Sequence, residues 1–316
     1  MAETDKPSDE GVRSLRVHAG IDIGGTTTQV VLCDPFGTVV ARSNAPTPAR
    51  VGGNAMVQTA SEIVHRLVQT TNATLLAAGV GAAGVVERHN GTIVEASDSF
   101  VEWVGYPLGE KLAEALQVEV TVENDVNAFL SGEVLRGGLQ HERNALGITL
   151  GTGVGGALWL DGALWSGPHD SAGEIGHIPG FGDEPCTCGG RGHLETIASG
   201  TGIERFYAVR TGAVRSAHEI ATRVQDDDDA RETYRRAAHG LARGILITTG
   251  LVDVTTVVIG GGVSGSWAVL SPLLHEALAA EPSVNKAPIR VEPSLLGNDA
   301  VAVGAAALAR SSRDER

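Results

Sequence analysis

Apolar positions along this chain change period several times, and each change marks an element. Residues 17–33, VHAGIDIGGTTTQVVLC, form a β-branched run interrupted by glycines, which predicts a hairpin, and residues 39–42 add a third strand. Ala55, Ile63, Val64 and Leu67 recur at helical spacing within residues 54–69, whereas residues 75–80 make a short continuous apolar run expected of a buried strand. The pattern then repeats: strands predicted at 145–150 and 155–160 flank Gly-Thr-Gly much as the first two flank Gly-Gly-Thr. Helices follow at 230–250, where Leu241, Ile245 and Ile247 are apolar, at 271–280, and, beyond the polar turn 297–299, over the alanine-rich stretch 300–309. Alternation of this kind predicts an α/β protein and hints at an internal duplication. The polar segment 1–16 is expected to be a disordered tail. A small lobe is expected over 17–126, joined by the helix of 300–316, and a large lobe over 127–299, which puts a ligand cleft near residues 122–130.

Composition narrows the partners. The chain has 316 residues with 24 basic and 38 acidic side chains, a formal charge of −14 that opposes nonspecific attraction to nucleic acid or anionic lipid. The densest acidic run, Asp226 to Asp229, is expected to be a solvated loop. Cys33, Cys186 and Cys188 are too few for a secreted disulfide framework and fit a reducing cytoplasm. The first residues lack the apolar core of a signal peptide, and the most apolar later run, 244–263, is broken by Asp253, threonines and glycines, so no membrane span is expected.

Candidate chemistry concentrates in a few segments. In Asp22-Ile-Gly24-Gly25-Thr26-Thr27 a glycine hairpin turn is a sufficient structural reading; the functional one is that Gly24 to Thr27 offer amides and hydroxyls to phosphate while Asp22 orients hydrated magnesium. A second turn, Gly151-Thr152-Gly153, makes a clamp from two such turns. Residues 174–195 carry Glu174, His177, Cys186, Cys188, His193 and Glu195, mixing carboxylates with the His and Cys side chains that zinc prefers. Asn124 and Asp125 sit at a strand end where the lobes meet, a position that a helix cap could also explain.

Taken together, IDIGGTT, GAAG at 81–84, VENDVNAFLSGE at 122–133, LGTGVGG, EIGH, CTCGGRGHLE and IGGGVS at 259–264 make the chain resemble the ROK family of sugar kinases, within the actin-like and hexokinase-like ATPases. The resemblance covers nearly everything after the tail. It implies two actin-like, ribonuclease H-like ATPase domains of α/β fold with a cleft between them. It implies Asp125 as general base toward the sugar hydroxyl, with Asn124, Glu174, His177 and Glu195 as sugar ligands and Gly84 against the ring. Gly261 and Gly262 would lie against adenosine. His177, Cys186 and Cys188 match three ligands of a structural zinc whose fourth is normally cysteine; here His193 stands in that place and completes an S₂N₂ set. Two departures stand out. Asp98, followed by Trp103, falls near a position usually held by asparagine, and Thr27 replaces a frequent lysine.

The function expected from the resemblance is transfer of the γ-phosphate of ATP, with Mg²⁺, to the 6-hydroxyl of glucose or an N-acetylmannosamine-like sugar by a homodimer. Polyphosphate remains an alternative donor. A sugar-sensing ROK repressor is the rival class, disfavoured by the acidity and by only residues 1–21 preceding Asp22, where a winged helix would need many more. A catalytically dead sugar-binding protein is disfavoured by the intact Asp125 and both phosphate turns.

Overall fold

The computed structural model describes residues 14–284 and 286–314. Most of the tail expected over 1–16 lies outside the described residues, and at its end Leu15 and Arg16 already belong to the first strand. Strands β1 (Leu15–Ile23), β2 (Thr27–Cys33), β3 (Val39–Pro46), β4 (Ala73–Ala82) and β7 (Glu119–Asn124) form one sheet in the order β3-β2-β1-β4-β7. The hairpin β1–β2–β3 is antiparallel, and β4 and β7 add in parallel on the other side of β1. The second sheet repeats this plan. Its strands β8 (Ala145–Leu150), β9 (Val154–Leu160), β10 (Ala163–Trp165), β11 (Thr256–Gly260) and β12 (Arg290–Pro293) run in the order β10-β9-β8-β11-β12 with the same directions. The duplication hinted at by the two glycine turns is therefore carried by the topology. A short hairpin, β5 (Val85–Glu87) with β6 (Thr92–Glu95), stands apart from both sheets.

Each sheet has its own core. Helices α1 (Gly53–Thr71) and α2 (Leu108–Leu116) cover the first sheet, and Met56, Ile63 and Leu112 meet Ile21, Ile23 and Val80 there. Over the second sheet pack α4 (Glu195–Ala198), α5 (Gly200–Thr211), α6 (Ala217–Ala221), α7 (Asp228–Val252) and α8 (Trp267–Ala280), with Tyr234, Leu241 and Ile245 against Leu146 and Ile148. The acidic run 226–229 is only partly a loop, with Asp226 in an exposed turn before α7. Asp227 is the N-cap of α7, accepting from the Asp229 and Ala230 amides, and Asp228 and Asp229 occupy the first turn, where carboxylates complement the helix dipole.

Helices α3 (Asp125–Leu135) and α9 (Ala300–Asp314) join the halves. Val126, Phe129 and Leu130 of α3 pack with Ala145, Ala157 and Trp159 of the second sheet, while Ala302, Val303 and Ala306 of α9 pack on Val31 and Cys33 of the first. The two helices cross at glycines: a Cβ on Gly304 would overlap the Ala128 carbonyl, and one on Gly132 the Ala300 carbonyl. Gly304→Ala should therefore destabilise the fold by about 1–3 kcal/mol, even though alanine favours an isolated helix by roughly 1 kcal/mol. Urea unfolding checks this through a lower midpoint at unchanged slope; an equal or higher midpoint would mean that the crossing tolerates the methyl.

Candidate active site

The end of β7 and the start of α3 place the proposed base. Asn124 is the N-cap of α3: its Oδ1 accepts from the Val126 amide at 2.9 Å and the Asn127 amide at 3.1 Å. Its Nδ2 donates to the Gly84 carbonyl at 2.9 Å and to Asp125 Oδ1 at 3.0 Å. Asn124 is thus a helix cap, and capping fixes the amide group that orients its neighbour Asp125. Gly84 has φ of +110°, and a Cβ there would collide with the Glu95 carbonyl, so only glycine brings this backbone beside Asn124. Asp125 Oδ1 also accepts from the Val126 amide at 2.9 Å, whereas Oδ2 has no hydrogen bond to another described residue. Burial lifts the Asp125 carboxyl to about 6; hydrogen bonds from Val126 and Asn124 oppose the rise, and the Glu174 charge adds to it.

Both phosphate turns sit between antiparallel strands. In the first, the Gly24 amide donates to the Thr27 carbonyl at 3.1 Å, and the Thr26 carbonyl accepts from the Thr47 amide at 3.0 Å. Gly25, Thr26 and Thr27 are exposed, as a phosphate cradle requires, and an added Cβ on Gly25 would touch only Phe100. Asp22 lies on β1 just before this turn, its carboxyl pushed up to about 7 by burial and by the Asp125 charge. Asp22 pairs with Gly81, which lies beside the Asp125 backbone, so the first turn and Asp125 come to one place. In the second, the Gly151 amide donates to the Gly153 carbonyl at 3.0 Å, and the Gly151 carbonyl accepts from the Gly200 amide at 2.8 Å at the start of α5. Thr152 at its tip is exposed. Gly261, with φ of +86°, follows β11 and lies against the Leu150 backbone beside the second turn, and Gly262 has open space around it.

Glu174, His177 and Glu195 lie together beside the cysteine loop. His177 Nε2 faces Glu174 Oε2 at 3.8 Å, and its Nδ1 faces Cys186 Sγ at 3.6 Å. Burial raises the Glu174 carboxyl above the usual range, with His177 lowering it and Glu195 raising it further. Glu195 bridges two motifs: Oε2 accepts from the Val154 amide at 3.1 Å beside the second turn, and Oε1 accepts from Thr187 Oγ1 at 2.8 Å between the two cysteines. His177, Cys186, Cys188 and His193 present ligand atoms that all lie within 4.8 Å of one another. Cys188 Sγ and His193 Nδ1 are 3.2 Å apart. A tetrahedral zinc with Zn–S of about 2.3 Å and Zn–N of about 2.0–2.1 Å has ligand–ligand edges of roughly 3.3–3.8 Å. The S₂N₂ set therefore fits zinc with little rearrangement.

Two contributors to this geometry escaped sequence reasoning. Glu123 precedes Asn124 in the quoted motif and holds its amide, and Thr187, between the cysteines, holds Glu195. Asp98 stands apart: its side chain is exposed and makes no hydrogen bond or ion pair with the other candidates, while its carbonyl accepts from Arg50 Nη1 at 2.9 Å. Trp103 faces inward, its Nε1 donating to the Ala83 carbonyl at 3.1 Å. Among the described residues, no helix is long and apolar enough to cross a membrane.

Residues 18–312 match the model of the ROK family. A glucokinase of Halalkalibacterium halodurans is 31% identical over 314 residues, covering 92% of this chain and 94% of that protein. A glucokinase of Streptomyces coelicolor is 32% identical over 316 residues, covering 92% and 96%. Among solved structures, a ROK family glucokinase from Streptomyces griseus in complex with glucose and AMPPNP superposes with a TM-score of 0.82 at 28% identity, over 93% of this chain and 99% of that one. With its duplicated sheets as the two halves of an actin-like ATPase fold, the chain belongs to the ROK family.

Proposed function

We propose that this protein is an ATP-dependent hexose kinase that transfers the γ-phosphate to the 6-hydroxyl of its sugar, with glucose ahead of N-acetylmannosamine as acceptor. The observation that carries the reading is the meeting of the first phosphate turn and Asp125, since Asp22 pairs with Gly81 beside the Asp125 backbone and the Glu174 charge acts on the same carboxyl. The glucokinase relatives support glucose as the first sugar to test. Asp125 Oδ2, left free by the pairing of Oδ1, accepts the proton of the 6-hydroxyl as its oxygen attacks phosphorus. Asn124, Glu174, His177, Glu195 and the Gly84 backbone pair the remaining hydroxyls, each of which must find a partner once buried. The turns 24–27 and 151–153 hold the phosphates, Asp22 orients the Mg²⁺ that neutralises their charge when bound, and Gly261 and Gly262 lie along the adenosine. His177, Cys186, Cys188 and His193 would hold a zinc ion that would brace the sugar wall. The lobes, with limits near 17–126 and 127–299 and α9 joined to the first, close on the sugar; the chain acts as a cytoplasmic homodimer, without nucleic-acid or membrane partners.

Closure matters because water competes with the sugar as acceptor. A panel of hexoses and N-acetylhexosamines, each with ATP or polyphosphate, tests acceptor and donor. Sugar alone should make the protein more compact in solution scattering, and ATP hydrolysis without sugar should be far slower than transfer. Hydrolysis as fast as transfer, with no compaction, would rule out closure. Sugar binding without phosphorylation of any panel member would favour the sensor reading instead.

A further inference from the structure

Among the described residues, two carboxylates are almost completely buried, Glu123 at 3% and Glu133 at 0% exposure, and neither takes part in the proposed transfer. Glu133 ties the loop before α9, through Ser294, Leu296 and the Gly138 amide. Glu123 is placed differently. Its Oε1 accepts from the Asn124 amide at 2.9 Å and from Asn127 Nδ2 at 2.9 Å, and its Oε2 meets Arg88 Nε at 2.7 Å. Asn127 is itself buried in the first turn of α3, and its Oδ1 has no partner, so the link to Glu123 is what anchors this side chain. Arg88 follows β5 on the small hairpin, and its amide donates to Asp170 Oδ2 at 3.4 Å, from the loop beyond β10 on the other half of the molecule. One residue therefore touches the opposite half with its backbone and the strand end carrying Asn124 with its guanidinium.

We propose that Arg88, acting through Glu123, is a positioning residue for the base: it neutralises the buried carboxylate that fixes Asn124 and the first turn of α3, and thereby fixes Asp125. The inference rests on the kinase reading above for its catalytic consequence, not for its structural one. A buried carboxylate keeps its place only when its charge is matched and its oxygens are hydrogen-bonded, and without Arg88 it would have to find water or shift. Any shift moves Asn124 and with it the hydrogen bond to Asp125 Oδ1. Misplacement of a reacting group by about 1 Å costs on the order of a hundredfold in rate.

The test compares wild type, Arg88→Met, Arg88→Lys, Glu123→Gln and the double variant Arg88→Met/Glu123→Gln by steady-state kinetics and by amide exchange at Val126 and Asn127. Arg88→Met should lower kcat about tenfold to a hundredfold and raise sugar KM by a smaller factor, because Asn124 also faces a sugar hydroxyl. Lysine, which keeps the charge, should restore part of kcat. The double variant should outperform Arg88→Met, because neutral glutamine no longer needs the cation. Exchange at both amides should quicken in Arg88→Met. Unchanged kcat and unchanged exchange, in a wild type that phosphorylates sugar, would overturn the inference alone. A wild type that phosphorylates no sugar, while exchange still quickens, would leave the positioning intact and remove the kinase reading. Should Arg88→Met fail to fold, Arg88→Lys and Glu123→Gln carry the comparison; wild-type kcat and exchange in both would overturn it.

Discussion

Asp125→Asn should lower kcat by roughly 10²–10⁴-fold while leaving sugar KM nearly unchanged. Asparagine keeps the shape and the Oδ1 acceptor that Val126 and Asn124 use, but it presents an NH₂ where Oδ2 must take a proton. The wild-type carboxyl, raised to about 6 by burial, is protonated as the pH falls through that value, so kcat/KM should drop about tenfold per unit below it. The same raised value fixes the sign for stability. Between the ordinary carboxylate range and about 6, the folded state binds more protons at Asp125 than the unfolded state, so the native fold loses stability as pH rises through that window. Asparagine removes this loss. The variant should therefore be no less stable than wild type at pH 8, which separates a catalytic defect from unfolding. Near-normal turnover by the folded variant would remove Asp125 from the role of base.

The sequence disclosed the parts that are local. Glycines between β-branched strands predicted both hairpins at the phosphate turns, and Leu241, Ile245 and Ile247 marked the apolar face of α7. The order of motifs disclosed the family. What it withheld was long-range. Nothing local in the alanine-rich end of the chain says that Gly304 will lie on Ala128, or that Gly20 and Gly79 lack side chains because α9 passes over them. Asp226 to Asp229 looked like a solvated loop because acid runs usually are; Asp226 is in one, whereas Asp227 to Asp229 cap and charge a helix start. α5 was not predicted, since its first residues, Gly-Thr-Gly, are poor helix formers, although Ser199 caps it through the Gly202 amide. Glu195 was legible as a carboxylate near a candidate metal loop, but its second tie, to the Val154 amide across the second turn, exists only in three dimensions.

That double tie leads to the second large effect, removal of the metal. Protein purified without added metal should contain about one zinc per chain by elemental analysis, and Cys186→Ser should lose most of it. The sugar wall should weaken at the same time, because both of its anchors run through the loop. His177 turns Nδ1 toward the cysteines, which leaves Nε2 for Glu174 and a sugar hydroxyl, and Glu195 is held on one side by Thr187, between the two cysteines. Loss of an outer support of this kind costs roughly 10–100-fold in affinity or activity, so sugar KM should rise by about that factor. The effect on ATP should be smaller but not absent, since the turn at 24–27 lies on the other sheet whereas the turn at 151–153 meets this loop through Glu195. Cys33→Ser is the control: Cys33 is buried against α9, away from the cluster, and the variant should keep its metal and its sugar KM. His193→Cys should retain zinc, because thiolate serves as well as imidazole at the fourth position, whereas His193→Ala should lose it. Metal-free protein with an unchanged sugar KM would show that the loop holds its shape through Arg243, which donates to the Gly180 carbonyl, and its other protein contacts alone.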